Sequence, residues 1–148
     1  MKRPINQSTV QFWSRSSNEA FARTVAACFT AQLDPTLEEL NDLKTAVSEA
    51  VTNAIVHGYP DALGKVTMVM KLFEDHTVEI TIKDKGVGIA DLEQARMPLY
   101  TTGGSERAGM GFTIMESFTD GMRVRSAIGK GTTVVLSKKI SLRAGGVR

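Results

Sequence analysis

Disulfide chemistry is closed to this chain, because its 148 residues include a single cysteine, Cys28. The lack of staples is no handicap. A domain of this size buries roughly 68–70% of its unfolded surface and can rely on its core. Lone cysteines are most often small buried hydrophobes. Cys28 falls in an apolar helical stretch, so it is expected in the interior and is given no catalytic role. A reducing compartment, the cytoplasm, fits that usage. Long apolar runs are also missing: none approaches the roughly 20 residues of a membrane helix. Met1 to Val10 hold polar groups and Pro4 but no apolar core, which argues against a secretory signal. Aromatic residues make up only 6% of the chain, and 18 basic residues are balanced by 16 acidic ones, for a net charge of +2. Without a basic block or a stacking surface, neither direct nucleic-acid binding nor a membrane partner is expected.

What is present reads as one domain without repeats or linkers. Val10 to Trp13 suggests a first strand. Ser16 and Glu19 form a capping-box pattern, followed at helical spacing by Phe21, Val25, Cys28 and Phe29, with an end near Leu33. Thr36 and Glu39 form a second box, and Leu40, Leu43, Val47, Ala50 and Ala54 follow; Gly58 is a natural stop. Val66, Met68, Met70 and Leu72 alternate, as do Val78, Ile80 and Ile82, with Asp75-His76 between them as in a hairpin. Asp84 to Gly88 is a glycine-punctuated loop, Asp91 to Ala95 a candidate short helix, and Met97 to Arg107 an irregular loop. Gly109 to Phe118 reads as a helix opening with glycines. Met122 to Ile128 and Thr132 to Ile140 make a last hairpin around Gly129-Lys130-Gly131, and Leu142 to Arg148 is expected to fray. Helices grouped against a largely antiparallel sheet suit this order. The expected fold is therefore α+β, a two-layer sandwich with a mixed, mostly antiparallel sheet and helices packed on one face.

Four short patterns carry chemistry. Glu49 and Asn53 stand four residues apart on the second helix, about 40° from one another around its axis. Ala46 and Ala50 leave room beside them. A carboxylate and an amide carbonyl are hard oxygen donors suited to magnesium, water or a hydroxyl proton. Taken alone, the pair also fits an ordinary exposed face. Asp84-Lys85-Gly86-Val87-Gly88 follows a strand; its glycines permit close backbone approach, and the Asp could accept a hydrogen bond from an amine such as that of adenine. A capped tight turn is the plain alternative. No Gly-Lys-Ser/Thr follows, so this is not a Walker loop. Gly109-Met110-Gly111-Phe112 opens a helix whose free amides could meet phosphate. Thr132, after the last glycine turn, offers a hydroxyl.

The order and spacing of these stretches resemble the ATPase superfamily shared by histidine kinases, the Hsp90 chaperone, MutL and type II topoisomerases. The matching residues are Ser48 to Ala54, Asp84 to Ile89, Gly109 to Phe112 and Gly131-Thr132. Within it, the chain is most similar to the bacterial anti-sigma F family of sporulation serine kinases. Phe21-Ala22-Arg23, Ala31 to Thr36, Ser48 to Tyr59, Pro98 to Thr102 and Glu106 to Glu116 carry that likeness, which extends from Val10 to about Ile140. The resemblance implies a Bergerat-type ATP-binding fold with Mg2+ and ATP as cofactors. It implies that Asn53 coordinates magnesium and that Glu49 is the general base for a substrate serine. It implies that Asp84 binds the adenine amine, that Gly86 and Gly88 line the base pocket, and that Thr132 contacts adenine. It implies that Met97 to Ala108 form a lid, with Thr101 and Thr102 at the nucleotide and Arg107 at phosphate or partner. It implies that Gly109 and Gly111 hinge it and offer amides to phosphate, with Met110 beside them at the nucleotide. It also implies that Arg23 lies on the partner surface; on a helical wheel it stands about 160° from Phe21 and Val25.

The resemblance further implies a homodimer with two protein partners. One is the sigma F factor of RNA polymerase, sequestered in the ATP state. The other is an anti-anti-sigma protein, the serine substrate, favoured by ADP. Gly103-Gly104 departs from the bulkier residues usual in the lid and predicts a looser segment. His57 is rejected as a phosphoacceptor, because histidine kinases carry theirs on a separate helical domain, and His76 reads as a solvated turn residue. A stress-response relative acting on another sigma factor, or a nucleotide sensor without phosphotransfer, are the alternatives.

Overall fold

The computed structural model describes residues 2–89 and 105–142, the latter without the side chains of 105–109. Strand β1 spans Pro4–Trp13, helix α1 Asn18–Thr30, helix α2 Leu37–Asn53, strand β2 Lys65–Phe73 and strand β3 Thr77–Asp84. Helix α3 follows over Ser105–Ser117, then strands β4, Gly121–Ala127, and β5, Gly131–Lys139. The five strands form one sheet in the order β1-β2-β3-β5-β4. Every pair in it is antiparallel, so the α+β sandwich holds while the mixed component of the expected sheet does not occur among the described residues.

Alternation decides which side chains meet the helices. In β2, Val66, Met68, Met70 and Leu72 are buried, and in β3 Val78, Ile80 and Ile82 match them. The helices cover that face with Ala22 and Ala26 of α1, Leu43, Ala46, Val47, Ala50 and Val51 of α2, and Phe112 and Met115 of α3. Small residues on α1 and α2 let the helical layer lie close to the sheet. No described helix is long and apolar enough to cross a membrane.

Several expectations are corrected. β1 begins at Pro4 rather than Val10, because its polar first half gains a ladder with β2 from Pro4 opposite Phe73; pairing overrides weak local propensity. The Ser16–Glu19 capping box does not form: α1 starts after Ser17, with no side-chain cap bond. Its buried stripe is Ala22, Ala26 and Thr30, which displaces the apolar positions expected to lead it. Phe21 is partly exposed and sets its ring edge-on to Phe12, with centroids 6.2 Å apart. Cys28 is exposed, since it lies off that stripe. α3 opens at Ser105, so Gly109 and Gly111 fall inside the helix rather than at its start. The expected helix at 91–95, most of the lid and the last six residues lie outside the described residues.

Candidate functional site

Helix α2 is the spine of the site. Its start is held by a complete capping box: Glu39 N–H donates to Thr36 Oγ1 at 3.0 Å and Thr36 N–H donates to Glu39 Oε1 at 2.8 Å. The second Glu39 oxygen accepts Ser141 N–H at 2.9 Å, which ties the chain beyond β5 to the helix. Burial pushes the Glu39 carboxyl up, but the donors from Thr36 and Ser141 outweigh it and leave the group below its ordinary value.

At the other end, α2 runs into a π-helical turn, Ala54–Gly58. Such wide turns recur at functional sites. His57 falls within this turn, so the ordinary four-residue helical step does not relate it to Asn53.

Glu49 and Asn53 face α3. A Cβ placed on Gly111 would lie 3.2 Å from Glu49 Oε2 and Asn53 Nδ2 and 3.3 Å from Asn53 Oδ1. The missing side chain therefore lets two helices bring a backbone against a carboxylate and an amide. Asn53 Nδ2 is buried without a hydrogen-bond partner among the described residues. A buried orphan of this kind is costly unless a ligand completes it.

A second group lies at the end of β3. Asp84 continues the inward parity of Val78, Ile80 and Ile82 and is only 5% exposed. Burial pushes its carboxyl above the ordinary value, partly offset by hydrogen bonds from the amides of Gly86 and Thr132; the Gly86 bond is 2.9 Å. Gly58, closing the π turn, faces this carboxylate: a Cβ there would lie 2.9 Å from Asp84 Cγ and Oδ1. A Cβ on Gly86 would lie 1.8 Å from Gly58 O, which instead accepts Val87 N–H at 2.9 Å. One helix thus carries Glu49 and Asn53 on its last turns and meets Asp84 where it ends.

The far wall is the β4–β5 hairpin. Asp84 pairs with Thr132, and Thr132 with Ser126, so three polar residues form one row across three strands. Gly88 has φ +79 and Gly131 φ +97, conformations that side chains disfavour; a Cβ would strike Ala127 O at 2.0 Å and Asp84 O at 2.1 Å respectively. Gly129 N–H donates to Val87 O at 2.8 Å, which stitches loop to hairpin. Tyr59 braces the other side, accepting Lys85 N–H at 2.7 Å and donating to Lys65 O at 2.8 Å.

Arg23 stands with Asn41, Lys44, Thr45, Ser48 and Glu49 around a cleft of about 290 Å³ between α1 and α2. Its Nε lies 3.1 Å from Glu19 Oε2. Glu49 therefore borders both the Gly111 cradle and this cleft. Met110 is 49% exposed, and Gly109 and Arg107 are placed by backbone within α3. Thr101 and Thr102 lie outside the described residues. Spacing alone gives no site role to Gly58, Tyr59 or Ser126. The spacing marks Gly58 only as a helix stop, and the Ser126 signal is its register with Thr132, invisible until the strand order is known.

A two-layer sandwich with a helix-borne carboxylate and amide beside a buried strand-end Asp and glycine loops defines a class of nucleotide-binding domain. The family model described as a histidine kinase-like ATPase domain matches residues 12–138. The anti-sigma F factor of Geobacillus kaustophilus is 53% identical over 137 residues, covering 92% of this chain and 94% of that protein. That of Pasteuria penetrans is 57% identical over 142 residues, covering 95% and 93%. In fold, the chain matches the crystal structure of the RsbU and RsbW domains of a Mycobacterium tuberculosis protein, with TM-score 0.67 and 18% identity over 93% of this chain and 32% of that one. The chain belongs to the anti-sigma F factors of the histidine kinase-like ATPase family.

Proposed function

We propose that this chain is a cytoplasmic anti-sigma factor and protein serine kinase, which uses Mg-ATP to phosphorylate an anti-anti-sigma antagonist and sequesters sigma F. The observation that carries the reading is the position of Glu49. It borders the Gly111 cradle on one side and the Arg23 cleft on the other. A base in that position can reach a hydroxyl offered by a second protein while the nucleotide lies across the cradle.

Asp84 accepts the adenine amine, with Gly86, Gly88 and Thr132 around the base. Asn53, Gly109, Met110 and Gly111 lie on the phosphate side, where Thr101, Thr102 and Arg107 add contacts. The orphaned Asn53 amide and the cradle suit a phosphate-bound magnesium. Half a turn of that amide presents its carbonyl oxygen to a cation. Among the described residues no group of three or more His, Cys, Asp or Glu could hold a metal. A magnesium site with one protein oxygen and the rest from phosphate and water fits that donor set. Bound there, the ion would neutralise charge on the phosphates.

The serine oxygen bonds to the γ-phosphorus as the bond to the β–γ bridging oxygen breaks. The hydroxyl proton passes to the Glu49 carboxylate, and ADP leaves. Catalysis of this kind is mainly positioning plus charge stabilisation, and a general base adds about 10²–10⁴-fold. Arg23 meets the partner. ATP favours the sigma complex and ADP the unphosphorylated antagonist, both on a homodimer.

The test is transfer of radiolabelled phosphate from ATP to a serine-bearing antagonist. Glu49→Gln is expected to lower transfer at least 10²-fold with ATP affinity nearly intact. Equal rates in variant and parent would reject the base, and a parent that binds ATP without labelling any partner would reduce the protein to a nucleotide sensor.

A further inference from the structure

Ser126 has three hydrogen-bonding neighbours and one proton. Ile89 N–H donates to its Oγ at 2.7 Å. Its Oγ lies 3.1 Å from the carbonyl oxygen of Gly131, which can only accept. Its Oγ also lies 2.7 Å from Thr132 Oγ1, where either hydroxyl could donate. One arrangement makes all three contacts hydrogen bonds at once. Ser126 accepts from Ile89, donates to Gly131, and so must accept the Thr132 proton as well.

That arrangement has a consequence for the base pocket. With its proton committed to Ser126, Thr132 Oγ1 presents only lone pairs. The Asp84 carboxylate, opposite Thr132 on the neighbouring strand, also only accepts when ionised. A pocket edge made of acceptors suits an exocyclic amine and opposes a carbonyl oxygen.

We propose that Ser126 is a positioning residue that sets base selectivity: by holding the Thr132 hydroxyl as an acceptor, it makes the pocket favour a 6-aminopurine nucleotide over a 6-oxopurine one. The proposal rests on the reading of Asp84 and Thr132 as the base pocket. It extends that reading to a residue that touches no nucleotide itself.

Inosine triphosphate is the clean probe, since it differs from ATP by the 6-oxo group and the N1 proton that goes with it. Dissociation constants for Mg-ATP and Mg-ITP are measured calorimetrically for the parent, Ser126→Ala, Ser126→Thr and Thr132→Val. The parent prefers ATP. Ser126→Ala frees the Thr132 hydroxyl to rotate and donate to O6, so the ATP:ITP ratio narrows by roughly tenfold, chiefly through better ITP binding. Thr132→Val removes the acceptor and also narrows the ratio. Ser126→Thr keeps a hydroxyl in place and keeps the ratio.

A parent that binds both nucleotides equally overturns the proposal. So does a Ser126→Ala protein that loses affinity for both with the ratio unchanged, the mark of a structural role. Should Ser126→Ala fail to fold, an unchanged ratio in Thr132→Val overturns it independently. Asp84→Asn separates the two levels: if that variant binds ATP as the parent does, the base-pocket reading itself has failed.

Discussion

Gly58 and Asp84 are spatial neighbours that depend on each other: the helix ends on a residue with no side chain, and the carboxylate occupies the space a Cβ would take, 2.9 Å away. Gly58→Ala should therefore push Asp84 off the amides of Gly86 and Thr132. A misplaced charged hydrogen bond is worth about 1.5–3 kcal/mol, so ATP affinity should fall roughly 10- to 100-fold while the circular dichroism spectrum is kept. Titration calorimetry decides the matter, and an unchanged affinity would contradict the pocket.

Asp84 itself links binding to pH. Burial lifts its folded pKa above the ordinary 3.8. A group raised on folding contributes stability that is complete below its unfolded pKa and is lost as pH climbs through the folded one. Compared with Asp84→Asn, the ligand-free parent should thus lose ground in melting temperature as pH rises from about 4 toward neutrality. ATP affinity moves the other way, falling as acid protonates the acceptor. Parallel melting curves for both proteins across that range would speak against a buried ionised Asp84.

Gly111→Ala tests the cradle. The new methyl would lie 3.2 Å from Glu49 Oε2 and Asn53 Nδ2, so those two side-chain tips must shift by a few tenths of an ångström. A 1 Å misplacement at a reacting group costs about 10²-fold in rate, and this smaller shift a correspondingly smaller factor. Single-turnover transfer should slow by a few-fold, and a variant as fast as the parent would remove Gly111 from the site.

Glu39 anchors the same helix from its far end. Losing a capping side chain costs about 0.5–2 kcal/mol, and Glu39→Ala also releases Ser141. Its lowered pKa adds a pH signature. The stability it provides is full above the ordinary 4.5 and disappears as pH falls through the depressed folded value. Thermal melts of parent and variant should converge in acid; a constant gap would show that the carboxylate form is irrelevant.

Arg23→Ala should leave ATP affinity unchanged and weaken partner capture by roughly tenfold, the scale of a modest charged contact. Pull-down with and without ATP reads both. Equal capture would move the partner surface off the cleft.

Much of this was legible in the residues because it is periodic or local. The Thr36–Glu39 box needs only its own three-residue spacing. Glu49 and Asn53 share a helix face by geometry alone, and Asp84 keeps the parity of Val78, Ile80 and Ile82. The failures share a cause. Ser16–Glu19 has the capping pattern, yet Ser17 precedes the first turn, since packing of Ala22 and Ala26 sets the phase of α1. Glycines usually mark helix ends, yet Gly109 and Gly111 sit inside α3, where Gly111 serves close approach to α2 instead. Gly58, Tyr59 and Ser126 act on segments far away in the chain, so their roles appear only with strand order and register.

The solvent-facing position of Cys28 on α1 has a practical use. With no other thiol in the chain, a maleimide dye attaches at one known place without any substitution. Two such dyes, one per copy, would report by energy transfer whether and how closely two chains associate, and whether exchanging ADP for ATP changes their separation.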